Sequence, residues 1–263
     1  MDNNYRHLQV THEAAVLRVV LNRPEVHNAF NRELIGELQA LFRSVHEAPA
    51  KTRAVVLSGA GPSFCAGADV GWMRASIDFT EEENLADALH MAHMLDTIDR
   101  CPAPVIARVH GAALGGGVGL IAACDIAIAA DGARFAFSEA KLGIAPAVIS
   151  TFVLPKIGRG NARALFFTAE RFGAGRALQI GLVHEVVPAD GLDAAVERVV
   201  GEILTSAPHA IAAAKRLLAS VAGLERDAAI QMTAETIANL RTSAEGQEGL
   251  KAFLEKRKPG WTE

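Results

Sequence analysis

The residues of this chain best suited to chemistry fall into two clusters. Gly115-Gly116-Gly117-Val118-Gly119 follows an apolar stretch, and Glu139 stands twenty positions beyond Gly119 in Phe137-Ser138-Glu139. A glycine run lets the backbone approach a ligand closely and aim its own N–H groups at it. A carboxylate flanked by Phe135, Phe137, Leu142 and Ile144, with Pro146 following, is expected to hold its proton more tightly than usual and to act as a proton carrier. Together they describe a site that holds an anionic oxygen and moves a proton beside it. Gly119, the last glycine of the run, offers no side chain of its own.

Each feature has a plainer alternative. Gly117-Val118-Gly119-Leu120-Ile121-Ala122 satisfies the dinucleotide fingerprint G-x-G-x-x-A, with Glu139 where a ribose-binding acid would stand. The glycines could equally serve close packing alone. Glu139 could be a surface carboxylate paired with Lys141, two residues on along an extended stretch. The loop Ser63-Phe64-Cys65-Ala66-Gly67-Ala68-Asp69 is rich in small residues, and Asp69 suits the cap of a following turn. Cys65 has no base near it in sequence and reads as a packed thiol. His110, before Gly111, reads as a hydrogen-bonded structural histidine. No His/Asp/Glu grouping has metal-ligand spacing, and there is no G-x-S-x-G elbow.

The elements that must position these residues alternate. Leu8–Leu21 predicts one or two strands; Asn31 caps an amphipathic helix carrying Leu34, Leu38, Leu41 and Val45; Ala54–Leu57 is a buried strand. Thr80 with Glu83 forms a capping box for a helix with Leu85, Leu89, Met91 and Leu95 on its apolar side. Val105–Val109 is a strand leading to the glycine run. A short helix spans about 117–124, strands follow at 125–130 and 134–137, a helix runs from Gly158 to Phe167, and a last strand covers 182–187. From Asp190 onward the pattern is helical: 192–204, 208–221, 226–240 and 244–258. No Ser/Pro-rich linker divides the two parts, so the expectation is one α/β core, 1–189, with a helical region, 190–263.

Composition narrows the function classes. The chain has 263 residues, a net charge of −4 and only 5% aromatics, with no basic run, which argues against nucleic acid. No apolar run reaches the roughly 20 residues needed to span a bilayer. Cys65, Cys101 and Cys124 are few, odd in number and unpaired by spacing, as expected for reduced thiols in the cytoplasm. Met1-Asp2-Asn3-Asn4 carries no leader pattern.

Read in order, the segments resemble the crotonase family, the enoyl-CoA hydratases and isomerases. The resemblance rests on Leu21-Asn22-Arg23-Pro24 with Asn28-Ala29, Cys65-Ala66-Gly67-Ala68-Asp69, and Pro104–Ala107 through Gly111–Gly117 to Cys124-Asp125-Ile126-Ala127. It continues through Phe137-Ser138-Glu139 with Gly143–Pro146, Gly181-Leu182-Val183 and Ala252–Arg257. It implies a spiral of strand–strand–helix turns, C-terminal helices that build trimers or hexamers, an acyl-CoA thioester substrate, and no metal or redox cofactor. It carries the two oxyanion-holding N–H groups to Ala68 and Gly116, and the downstream catalytic acid to Glu139. Substrate contacts fall on Ala66, Gly67, Asp69, Val70, Gly71, Gly115 and Gly119, and coenzyme A contacts on Phe253 and Lys256. The family's other acid falls on Gly119. Gly117-Val118-Gly119 and Gly143–Ser150 resemble the bacterial branch that hydrates methylglutaconyl-CoA or isohexenylglutaconyl-CoA, in leucine and acyclic-terpene breakdown. Hydration is therefore the leading reading and double-bond isomerisation the second. Gly119 would free space for a methyl branch, Ser138 or Ser150 would help hold water, and Lys141, Arg74 or Arg108 would meet a distal carboxylate. Because one relative of the family binds RNA, a non-enzymatic role stands as a further alternative.

Overall fold

The computed structural model describes residues 5–262, so Met1–Asn4 and their reading above lie outside it. In chain order the elements are β1 (Leu8–Glu13), β2 (Val16–Leu21), α1 (Arg32–Glu47), β3 (Ala54–Gly59), α2 (Val70–Ser76), α3 (Glu81–Asp99), β4 (Val105–Val109), β5 (Ala112–Leu114), α4 (Gly116–Ala123) and β6 (Ile126–Ala130). They continue with β7 (Arg134–Ala136), α5 (Ala147–Thr168), β8 (Arg171–Gly173), α6 (Ala174–Gln179), β9 (Glu185–Val187), α7 (Leu192–Thr205), α8 (Pro208–Val221), α9 (Arg226–Thr242) and α10 (Ala244–Leu254).

A six-stranded sheet runs β1-β2-β3-β4-β6-β9, parallel except for the β1–β2 hairpin. Its central strands β3, β4 and β6 are largely apolar and buried on both faces, as a covered parallel sheet requires, whereas the edge strand β1 is mostly exposed. Leu17, Val19, Val55, Leu57 and Ala107 join the main core with α1, α3 and α4. Val16, Ala54, Val56, Ile106 and Ile128 face Leu192, Val196, Val200 and Ile203 of α7. A second layer holds β5-β7-β8 and is prolonged by single parallel bridges, Cys65 to Ala113 and Phe30 to Ala68. The chain thus repeats one move: a strand in the large sheet, a short rung in the second layer, then a helix. β4–β5–α4 and β6–β7–α5 are two such turns of a crotonase-like spiral.

Capping follows the predicted residues. Asn31 accepts from the Leu34 N–H, and Thr80 and Glu83 cap each other reciprocally. Other expectations need correction. Leu85 and Leu89 are exposed; the buried side of α3 is Met94, Leu95 and Ile98, because the helix packs through its C-terminal half. The helix expected to open at Gly158 begins at Ala147 and merely breaks at Gly158, whose positive φ of 70° interrupts it. Residues 182–184 precede the last strand rather than belong to it, and α10 stops at Leu254. β5, β8 and α6 are too short to leave a periodic signal.

Candidate active site

The functional residues sit at the ends of neighbouring rungs of the second layer. Phe30 and Ala68 pair in one bridge, Gly116 follows β5 and Glu139 follows β7, and all four line one cleft of about 190 Å³. Trp72, Met91 and the segment Ala145–Ile149 complete its wall. Residues more than a hundred positions apart are thereby brought to one small cleft.

Two of the lining residues, Ala68 and Gly116, carry candidate backbone donors. At the Phe30–Ala68 bridge, Phe30 N–H donates to Gly67 O at 2.6 Å and Asp69 N–H to Phe30 O at 2.8 Å. Ladder geometry turns the N–H of Ala68 the other way. Gly116 opens α4, so its N–H has no carbonyl one turn back. Neither N–H has a backbone partner among the described residues. The loops that carry them are locked together: Cys65 N–H donates to Ala112 O, and Leu114 N–H returns the bond to Cys65 O. A methyl group built on Gly117 would lie 2.2 Å from Cys65 O, and one on Gly67 would lie 2.8 Å from Leu114 O. Here the glycines are required by backbone contact.

Glu139 opens a short 3-10 turn, Glu139–Leu142, rather than lying on an extended stretch. Its side chain and that of Lys141 therefore diverge, and no ion pair joins them among the described residues. The carboxylate folds back over the glycine turn: a methyl group on Gly115 would stand 3.2 Å from Glu139 Oε1. Its Oε2 is buried without a hydrogen-bond partner among the described residues. Burial pushes its pKa above the ordinary carboxylate value, and its own backbone N–H offsets part of this. Of the chain neighbours expected to shelter it, Phe135, Phe137 and Pro146 are buried, whereas Leu142 and Ile144 are exposed. The same geometry disfavours dinucleotide binding, because a carboxylate occupies the space above the glycine turn where an anionic diphosphate would rest.

Other expected site residues have different duties. Asp69 caps α2, with Oδ1 accepting from Gly71 N–H at 2.7 Å and Trp72 N–H at 3.3 Å, while Oδ2 receives Arg23 Nη2 at 2.9 Å. Burial raises its pKa, but Arg23 and the two amides outweigh that and hold it below the usual range. Asp69 is thus committed to the scaffold. Val70 and Gly71 are exposed on α2, and Ala66 is tied by its N–H to His27 O; none of the three lines the cleft. Gly119 is buried away from it, and the space expected beside it is filled: a methyl group there would meet Ile149 Cγ2 at 2.2 Å. Ser150 donates to Ala147 O, and neither it nor Ser138 lines the cleft. Arg108 is held by Asp193, whereas Arg74 and Lys141 are exposed. Phe253 and Lys256 do not reach the cleft within one chain. His110 accepts from Arg108 Nη1 at Nδ1 and donates from Nε2 to Gly61 O. Burial pushes the Cys65 and Cys124 thiols up to about 12 and Cys101 to about 11. Sequence reasoning overlooked Trp72, although its position one turn after the Asp69 cap places it on the side of that loop, and it took Met91 for plain core.

These features define an α/β spiral in which a half-buried carboxylate and two backbone amides, without a backbone partner among the described residues, line one cleft. The same architecture is found in a solved enoyl-CoA hydratase from Shewanella pealeana, at a TM-score of 0.95 and 40% identity over 99% of this chain and 97% of that one. A crotonyl-CoA hydratase of Syntrophomonas wolfei is 32% identical over 97% of each chain. The enoyl-CoA isomerase/hydratase fer4 of Mycosarcoma maydis is 33% identical over 94% of this chain and 92% of its own. Residues 11–263 match the enoyl-CoA hydratase/isomerase family, and the chain belongs to it.

Proposed function

We propose that the protein hydrates the 2,3 double bond of an acyl-CoA thioester, with Glu139 as its only proton carrier. The observation that carries this reading is the buried, unpartnered Oε2 of Glu139. A desolvated carboxylate oxygen needs a hydrogen-bond donor, and a water molecule beside C3 supplies one. Glu139 takes a proton from that water as its oxygen bonds C3. The π electrons move to the thioester oxygen, where the N–H groups of Ala68 and Gly116 stabilise the developing charge. Glu139 then returns the proton to C2 as the electrons come back. No metal or redox cofactor takes part, and coenzyme A enters as part of the substrate.

One observation favours isomerisation instead. Ile149 occupies the place beside Gly119 and makes that wall apolar. Moving a proton between C2 and C4 needs one carboxylate and no water. The two readings separate when crotonyl-CoA, 3-methylglutaconyl-CoA and a 3-enoyl-CoA are each supplied in water labelled with heavy oxygen. Label in a 3-hydroxyacyl product is the expected result. Conversion of the 3-enoyl ester alone, without label, would make this an isomerase. Because Ile149 removes the space argued for a methyl branch, crotonyl-CoA is the expected better substrate. A carboxylated chain would have to reach outward to Arg74 or Lys141.

The working form is a trimer or a pair of trimers. Leu218, Ile230, Ile237, Phe253 and Leu254 on α8–α10 are all exposed, Phe253 by 81%, and need an apolar partner. Assembly would bring Phe253 and Lys256 to a coenzyme A site, Lys256 against a phosphate. Light scattering at micromolar concentration should give a multiple of three, and Lys256→Ala should chiefly raise KM. Three buried unpaired thiols suit a reducing cytoplasm.

A further inference from the structure

Four buried side-chain atoms lack a hydrogen-bond partner among the described residues: Arg23 Nε, Arg53 Nε, Trp72 Nε1 and Glu139 Oε2. The arginines are otherwise well bonded, Arg23 to Ala29 O and Asp69, Arg53 to Trp261 O, Leu204 O and Ser206 O. The remaining pair belongs to side chains that line the same cleft, one an obligate donor and the other a carboxylate. The other lining side chains are apolar: Phe30, Met91, Pro146, Val148, Ile149 and alanines. Native structures seldom leave such groups unmatched without a use for them.

We infer that the indole N–H of Trp72 holds the oxygen that the reaction joins to C3. This rests on the hydratase reading above. The attacking water and the product hydroxyl share that oxygen. Glu139 engages its O–H, and Trp72 donates to a lone pair. A donor without basic character cannot compete with Glu139 for the proton. In the reverse direction the departing oxygen gathers negative charge, and a preset donor stabilises it as it leaves. Trp72 therefore supplies the second polar contact to water that Gly119 cannot. Its place is fixed from behind: Asp69 Oδ1 accepts the Trp72 backbone N–H, and Arg23 holds Asp69. Both unmatched atoms are closed off from solvent, so the cleft must open for a ligand to reach them, and Met91, with its flexible thioether, is the lining side chain suited to yield when the acyl chain enters.

The test compares two esters that differ only at C3. Trp72→Phe keeps the ring and removes the donor. Hydration kcat should fall about 10-fold, the usual scale for one hydrogen bond to a reacting oxygen, with KM for the enoyl ester changed less than about 2-fold. In a Glu139→Gln background, where turnover is suppressed, Trp72→Phe should weaken 3-hydroxybutyryl-CoA about 10-fold and leave butyryl-CoA unchanged. Without any change at Trp72, its indole N–H proton resonance, one of two in the chain with Trp261, should move downfield with the hydroxy ester and not with butyryl-CoA. Equal effects on both esters, or none on either, overturn the assignment. Failure of the hydratase reading shows separately, as unlabelled product from the wild-type protein in heavy-oxygen water.

Discussion

Asp69 and Glu139 are both carboxylates beside the same cleft, and they are handled in opposite ways. Every requirement of Asp69 is met: a guanidinium on one oxygen and two helix-start amides on the other, with its pKa held down. Glu139 is given burial, an unmatched oxygen and a raised pKa. Both are partly sheltered, so burial alone does not separate scaffold from chemistry. What separates them is whether the protein itself supplies the partners.

Exchanging each for a neutral residue sharpens the contrast. Glu139→Gln should lower kcat by about 10²–10⁴-fold while acyl-CoA binding survives, the range for losing a general acid–base; near-normal turnover would remove Glu139 from the mechanism. Asp69→Ala strands Arg23 and uncaps α2, so urea unfolding should show a loss of about 3 kcal/mol. Its catalytic defect should be the smaller of the two, and a larger one would erase the distinction. Gly119→Ala drives a methyl group into Ile149 and should cost roughly 1–3 kcal/mol by the same measurement, despite alanine's better helix propensity.

The smallest effect is on stability against pH. The folded pKa of Glu139 is raised above its unfolded value, so the native state binds its proton more tightly. Its ionisation therefore weakens the fold as pH rises through the folded pKa, and no such cost exists below the unfolded one. Glu139→Gln should melt slightly higher than the wild type at neutral pH, and this excess should vanish at acid pH. Asp69 has the opposite sign: the stability it adds is present above its unfolded pKa and lost as pH falls through the lowered folded value. Activity in the hydration direction should also decline on the acid side, from a pH above that of an ordinary glutamate.

Local signals made much of this legible. Asn31, Thr80 and Glu83 announce helix starts within a few residues, and the glycines of the run and of the Ser63–Asp69 loop announce close backbone approach because Gly117 and Gly67 have no room for a side chain. The ordered motifs of the chain pointed to the family. The sequence did not reveal what fills a gap. Ile149 against Gly119 joins positions 30 apart on different helices, and Trp72 reaches the site through tertiary packing that no periodicity records. The setting of Glu139 was inferred from its chain neighbours, two of which, Leu142 and Ile144, turned out to face solvent.

The fit of Ile149 against Gly119 also constrains mutational history. An acid at 119 would require Ile149 to shift or shrink, and shrinking 149 first opens a void in the cleft wall. Passage between one-acid and two-acid forms of this site therefore has a preferred order, with the smaller residue at 149 arriving before the carboxylate. The two positions should vary together among descendants of a common ancestor, even though only one of them would ever carry a reactive group.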